Sequence, residues 1–237
     1  MKSDQDQSNG IKISFSALTP AIPVVLGYLP IGFAFGMLAV SAGISPLNTI
    51  LMSVIVFAGS AQLMAVNFIS QGLNPWAIVA ATFVINLRHL LMSASLSPYM
   101  QKWSKPQVAG FSFELTDETF GVHSLRFENG DTAANKAMLI NLVCHLAWIG
   151  GSLLGVLAGG LISDVRPLGL DYALPAMFIA LLVMQLRGRI YLWVALIAAA
   201  LSMLIWFAGL TQWNVIMAAV IAAAVGAGVE TWQKQRC

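Results

Sequence analysis

Charge is what this sequence lacks most. Only 9% of its 237 residues are Asp, Glu, Lys or Arg, against roughly a quarter in an ordinary soluble domain. The net charge of +2 is too small and too scattered for a nucleic-acid footprint. Cysteine is nearly absent as well: Cys144 lies in an apolar stretch and Cys237 is the last residue, so there is no disulfide framework. Catalytic signatures are missing too. There is no His-Glu-x-x-His, no Cys-x-x-Cys and no phosphate loop with its Lys, and Gly59-Ser60-Ala61-Gln62 is not a nucleophile elbow. No catalytic residue, metal or cofactor is expected. A polar start that mixes Lys2 and Lys12 with Asp4 and Asp6, followed by Pro20 and Pro23, predicts no removable leader.

What is present is apolar. Hydrophobic residues make up 58% of the chain, residues 13–87 carry no charge over 75 positions, and residues 190–229 carry none over 40. As helix, the first run would extend about 110 Å, enough for three or four crossings of a hydrocarbon core roughly 30 Å thick. Alternating short segments of the barrel type are absent. The pattern predicts an all-α, multi-pass membrane protein.

Seven spans are expected, at 17–42, 47–70, 75–99, 136–161, 172–186, 190–208 and 212–229, with residues 107–124 as an open eighth. A polar tail, 1–16, precedes a single transmembrane domain, 17–229, and a short tail, 230–237, follows. Lys and Arg outside the spans divide eight to three whether or not 107–124 crosses, which predicts a cytoplasmic C-terminus and leaves the N-terminus open. Two spans are expected to be broken. Span 17–42 holds Pro20, Pro23, Gly27, Pro30, Gly32 and Gly36, and span 47–70 carries Ala58-Gly59-Ser60-Ala61-Gln62 near its middle. Unwound backbone at membrane depth needs protein or a cavity around it, and paired interrupted helices frame substrate sites in transporters. A proline kink with a tight helix contact is the competing reading. An inverted repeat is left open, with Leu174-Pro175 its slender hint.

Certain side chains are costly in such a setting. Arg88 falls well inside the third span, where an arginine costs roughly 2.5–3.5 kcal/mol to insert, which makes it a functional candidate; snorkelling to an interface is the alternative. Asn86 and His89 share a face beside it. Glu114, Asp117 and Glu118 would share a helix face, either as a solvated loop helix or as a carboxylate cluster able to pair with Arg88, bind an ammonium or carry a proton. In span 136–161, Asn141, His145, Trp148, Ser152, Gly155 and Gly159 form one stripe. Gly151, Gly155 and Gly159 at four-residue spacing make a close-packing face for a helix of this chain or of a partner.

Four blocks then stand in order: Pro30-Ile31-Gly32-Phe33-Ala34-Phe35-Gly36, Phe57-Ala58-Gly59-Ser60-Ala61-Gln62, Asn86-Leu87-Arg88-His89 and Leu115-Thr116-Asp117-Glu118-Thr119-Phe120. Together they resemble the AzlC family, the large subunits of bacterial branched-chain amino-acid exporters. The resemblance covers most of the chain and is clearest before about residue 125. It implies an inner-membrane secondary transporter exporting leucine, isoleucine and valine, with methionine a further candidate, and a small four-span partner of the AzlD type. The motif residues it carries over are Pro30, Phe33, Gly36, Gly59, Gln62, Arg88, His89, Asp117 and Glu118. Ser60 and Asn86 join them as candidates from the residues themselves. The resemblance also implies an aspartate in some relatives where Asn86 stands, so a proton path through that position would need another group here.

The expected chemistry is recognition of a zwitterion with an aliphatic tail. Free N–H groups at a broken helix suit its carboxylate. Unwound carbonyls, Gln62 or Asp117 suit its ammonium, and Phe33, Phe57 and Met64 offer apolar walls. The rival readings are a channel for a small neutral solute, an intramembrane enzyme using Ser60 and His89, and a scaffold without transport. The last gains nothing from a buried arginine.

Overall fold

The computed structural model describes residues 18–159, 179, 182–183, 186, 188–209 and 214–234. The polar tail 1–16, most of the span 172–186 with Leu174-Pro175, Arg166, Arg187 and the last residues of the C-terminal tail lie outside the described residues. Every regular element among the described residues is helical. They fall into two compact units, one within residues 1–178 and one within 179–237.

Among its described residues, the first unit holds seven α-helices. A 3-10 turn over Thr19–Ala21 leads into α1 (Ile22–Ser41). Then follow α2 (Pro46–Ile55), α3 (Gly59–Ser70), α4 (Pro75–Leu96), α5 (Lys105–Phe113), α6 (Asp117–Glu128) and α7 (Ala134–Gly159). The second unit pairs α8 (Arg189–Phe207) with α9 (Asn214–Lys234). Among the described residues, four stretches are long and apolar enough to cross a membrane: Thr19–Ser41, Pro75–Met100, Ala134–Gly159 and Ile190–Phe207.

Helix starts follow local chemistry. Ser45 and Asn74 accept the backbone N–H of Asn48 and Trp76, each with a proline in the first turn. Gly43 and Gly72 end α1 and α3 at φ of +82° and +69°, conformations that a side chain makes costly.

The break expected in the first span is absent: α1 runs without interruption through Pro30. Pro20 and Pro23 sit in first turns, where a missing N–H costs nothing, so only Pro30 forfeits an internal hydrogen bond. Its glycines serve packing instead. A Cβ on Gly32 would lie 2.8 Å from the Trp148 carbonyl oxygen, and one on Gly151 would lie 2.6 Å from that of Leu29. Cβ atoms on Gly36 and Gly155 would collide with the Ser152 and Phe33 carbonyls. The α7 glycine face thus docks α1 of the same chain, and Gly159 borders Met37 and Val40.

The second span is interrupted. Between α2 and α3, Phe57 adopts φ +41° and Ala58 leaves the helical region at φ −136° and ψ 81°. The open stretch 107–124 is interrupted as well, with α5 and α6 parted at residues 114–116. Thr116 caps α6: its hydroxyl accepts the Thr119 N–H, while the Thr119 hydroxyl accepts the Thr116 N–H at 2.9 Å. A packed cluster of Met92, Leu96, Met100, Phe111, Leu115 and Phe127 holds the end of α4 against α5 and α6. Elsewhere the outer faces are apolar. Leu142, Leu146, Leu153 and Leu157 are exposed on α7, and so are Trp76, Phe83, Leu90 and Leu91 on α4, as lipid contact requires.

Candidate functional site

The two interruptions meet at Arg88. Its side chain leaves the middle of α4, and one terminal nitrogen donates to the Ser60 hydroxyl in the first turn of α3. The other forms an ion pair of 2.6 Å with Asp117 in the first turn of α6. A single cation therefore ties together the starts of two helices. Both starts present the positive end of a helix dipole, which a cation does not offset. Asp117 offsets the guanidinium and the α6 dipole together.

Glu118, the next residue, faces a different partner. The Tyr28 hydroxyl of α1 donates to its Oε2 at 2.7 Å and lies 2.5 Å from the Thr116 Oγ1. Tyr28 is held edge-on against Trp148 and Phe57, with ring centroids at 5.5 and 6.1 Å. Beside it, Phe57 stacks on His145 at 4.0 Å. His145 meets the Ser53 carbonyl through Nε2 at 3.0 Å and approaches Glu114 through Nδ1 at 3.6 Å. The positive φ of Phe57 turns its ring inward onto that imidazole.

Several buried polar atoms in this region have no hydrogen-bond partner among the described residues. Gln62 uses its Oε1 to accept the Ala58 N–H at 3.2 Å, which leaves Nε2 without an acceptor. Trp148 Nε1, Arg88 Nε, Asn86 Oδ1 and His89 Nε2 are likewise enclosed and unpaired. Orphan groups of this kind cost free energy unless a ligand or water completes them. Among the described residues, no group of three or more His, Cys, Asp and Glu side chains is arranged to hold a metal ion.

The sequence-derived candidates thus separate. Ser60, Gln62, Arg88, Asp117 and Glu118 belong to the region of the two interruptions. Gly59 lies against the Trp148 ring, where a Cβ would be 2.7 Å from its edge. Asn86 and His89 flank Arg88 on α4 and are half-buried. Gly36, with Phe33 through its backbone, belongs to the α1–α7 contact, and Pro30 is exposed. Gly151, Gly155 and Gly159 form the other side of that contact.

Tyr28 escaped the sequence reading. It is 4% exposed, and its one signal was position: it precedes Gly32 and Gly36 by one and two turns on the same face of α1. A second polar network also went unseen. Asn141 accepts from His123 Nε2 at 2.7 Å, Arg126 donates to His123 Nδ1 at 3.1 Å, and Asp131 bridges Arg126 to Lys136. In the loop after α6, the Lys136 hydrogen bond and the nearby Arg126 hold the Asp131 carboxyl below the usual carboxylate range, outweighing its partial desolvation.

Comparison with known proteins gives a consistent picture. A family model described as AzlC protein matches residues 23–162. An uncharacterized membrane protein of Archaeoglobus fulgidus is 32% identical, covering 86% of this chain and 89% of its own length. Inner membrane protein YgaZ of Escherichia coli is 27% identical over 90% of this chain and 89% of its own. The branched-chain amino acid transport protein AzlC of Bacillus subtilis is 29% identical over 72% of this chain and 66% of its own. No solved structure matches.

Proposed function

The chain belongs to the AzlC family of membrane transport proteins, and from that membership we propose that it is the large subunit of a secondary exporter of branched-chain amino acids. Leucine, isoleucine and valine are the substrates, with methionine the next in size. The observation that carries the reading is the placement of Arg88 between the starts of α3 and α6, bonded to Ser60 and Asp117. A charged residue at membrane depth is expensive, and interrupted helices are where transporters recognise small ions and zwitterions.

In this reading the substrate carboxylate takes the free N–H groups at the start of α3 and the unpaired Gln62 amide. The ammonium is held by Asp117, which Arg88 keeps in place. Phe33, Phe57 and Met64 border the aliphatic tail, which needs only apolar walls. Asn86 and His89 complete the substrate path, Glu118 stands beside it on Tyr28, and Pro30 and Gly36 shape and pack α1. The chain crosses a bacterial inner membrane seven or eight times as one transmembrane domain, with its C-terminus in the cytoplasm. The α2–α3 and α5–α6 interruptions are the elements that an inverted repeat would relate. A small four-span subunit of the AzlD type is its partner.

The test is counterflow of labelled leucine and valine in proteoliposomes containing this chain, with and without the small membrane protein encoded beside it. Saturable counterflow with both chains is expected. Its absence from folded, correctly assembled protein would overturn the reading.

A further inference from the structure

Adjacent carboxylates at the start of α6 are treated differently by the fold. Asp117 has a guanidinium at 2.6 Å. Glu118 has no cation among the described residues within ion-pair distance; its partner is the neutral Tyr28 phenol. The phenol has one hydrogen, and its donation to Glu118 leaves its oxygen to receive the Thr116 hydroxyl at 2.5 Å. With the carboxylate as acceptor, Thr116, Tyr28 and Glu118 form a directed chain from α6 to α1 and back to α6.

The chain is reversible. When a proton binds Glu118, the acid O–H donates to Tyr28, and the phenol turns its hydrogen to Thr116. No covalent bond other than the O–H bonds changes, and the link between α1 and α6 survives in both states with opposite polarity. Because the carboxylate lacks a counter-ion, its charge is opposed by burial and by Asp117 beside it. The remaining groups around it are Tyr28 on α1, the Cys144 thiol on α7 and, further along, the Glu114–His145 pair and the Arg88 guanidinium already engaged by Asp117. None of these is a free cation. Such a group is suited to gain a proton from one aqueous side and release it to the other.

We propose that Glu118, positioned by Tyr28, is the proton-carrying group that couples amino-acid export to a proton gradient. One proton binds the carboxylate from the outer side and leaves to the cytoplasm for each substrate expelled, while Asp117 and Arg88 remain paired. The proposal rests on the exporter reading and adds the coupling ion to it.

The experiment separates exchange from coupled flux, using reconstituted complex with its small subunit. Counterflow needs no net proton movement, whereas uptake accelerated by an imposed pH gradient does. In Glu118→Gln, counterflow is expected within about twofold of the wild type, with the acceleration by the gradient lost. In Tyr28→Phe, which keeps the carboxyl but removes a donor to its charged form, the pH midpoint of driven flux is expected to rise by about one unit. Glu118→Asp is expected to recover part of the gradient response. Retained gradient acceleration in Glu118→Gln would overturn the proposal. So would loss of counterflow together with driven flux in folded Glu118→Gln, since that would make Glu118 a substrate ligand. Should Glu118→Gln not fold, an unmoved midpoint in Tyr28→Phe would overturn it as well. An absence of counterflow in the wild-type complex would instead remove the exporter reading beneath it.

Discussion

Arg88 and Asp117 form an ion pair at 2.6 Å between α4 and the first turn of α6, with 24% and 10% of their side-chain surfaces exposed. Removing one partner strands a charge that the fold has already desolvated, which costs more than the pair's net contribution. Arg88→Ala and Asp117→Ala are each expected to lose transport by tenfold or more, as an order of magnitude. The double substitution Arg88→Met/Asp117→Leu is expected to melt above either single variant in detergent while staying inactive. Equal melting of all three would show that the pair carries no structural strain.

The glycines of the α1–α7 contact are expected to be unequal in their tolerance of a methyl group. Gly36→Ala and Gly155→Ala place a Cβ against opposing backbone carbonyls, which side-chain motion cannot relieve. A loss of about 1–3 kcal/mol or failure to accumulate is expected. Gly27 in the same helix has nothing within 4 Å of such a Cβ. Gly27→Ala is therefore expected to be neutral or stabilising by about 0.5–1 kcal/mol through helix propensity. Thermal melts of the three variants decide it.

At Phe57 the usual ranking of alanine over glycine should invert. The residue holds φ +41° and is 2% exposed. Both truncations lose its stack on His145, but only alanine keeps the left-handed strain. Phe57→Gly is expected to be more stable than Phe57→Ala by about 1 kcal/mol, read as the difference in midpoint of denaturation. The opposite order would mean that the turn does not hold this conformation.

Asp131 predicts an acid limb of stability. Its carboxyl titrates below the ordinary value in the folded protein, so its contribution is complete above about pH 4 and is lost as pH falls through the lower folded value. The melting temperature of the wild type is expected to drop across that window. In Asp131→Asn it is expected to start lower and fall less. Parallel curves for the two proteins would refute the assignment.

The sequence made the membrane character plain, because long charge-free runs permit nothing else. It also marked the second span's interruption, since Ala58-Gly59-Ser60-Ala61-Gln62 combines small and polar residues where bulky ones belong. It misled at the first span: prolines in the first turns of a helix look like prolines in its interior until the start is fixed. The gap between α5 and α6 stayed hidden behind Glu114, Asp117 and Glu118, whose helical spacing fits a surface helix equally well. Tyr28, Ser53 and the His123–Arg126 network were invisible for a simpler reason. Their partners stand 18 to 99 residues away or carry no motif of their own, and only the folded contacts of α1 with α6, and of α7 with α2 and α6, bring them within reach.

The glycine contact between α1 and α7 has a mechanical consequence. Where carbonyls lie against glycine Cα atoms, two helices can neither slide nor roll by a fraction of a turn without overlap of backbone on backbone. The α1–α7 pair is thus a stator. By contrast, α4 buries only Met92 and Leu96 toward its end and is gripped at its middle by Arg88. Within this unit, α4 and the short helices beside it are therefore the elements less firmly held, and α1 with α7 is the frame they rest on.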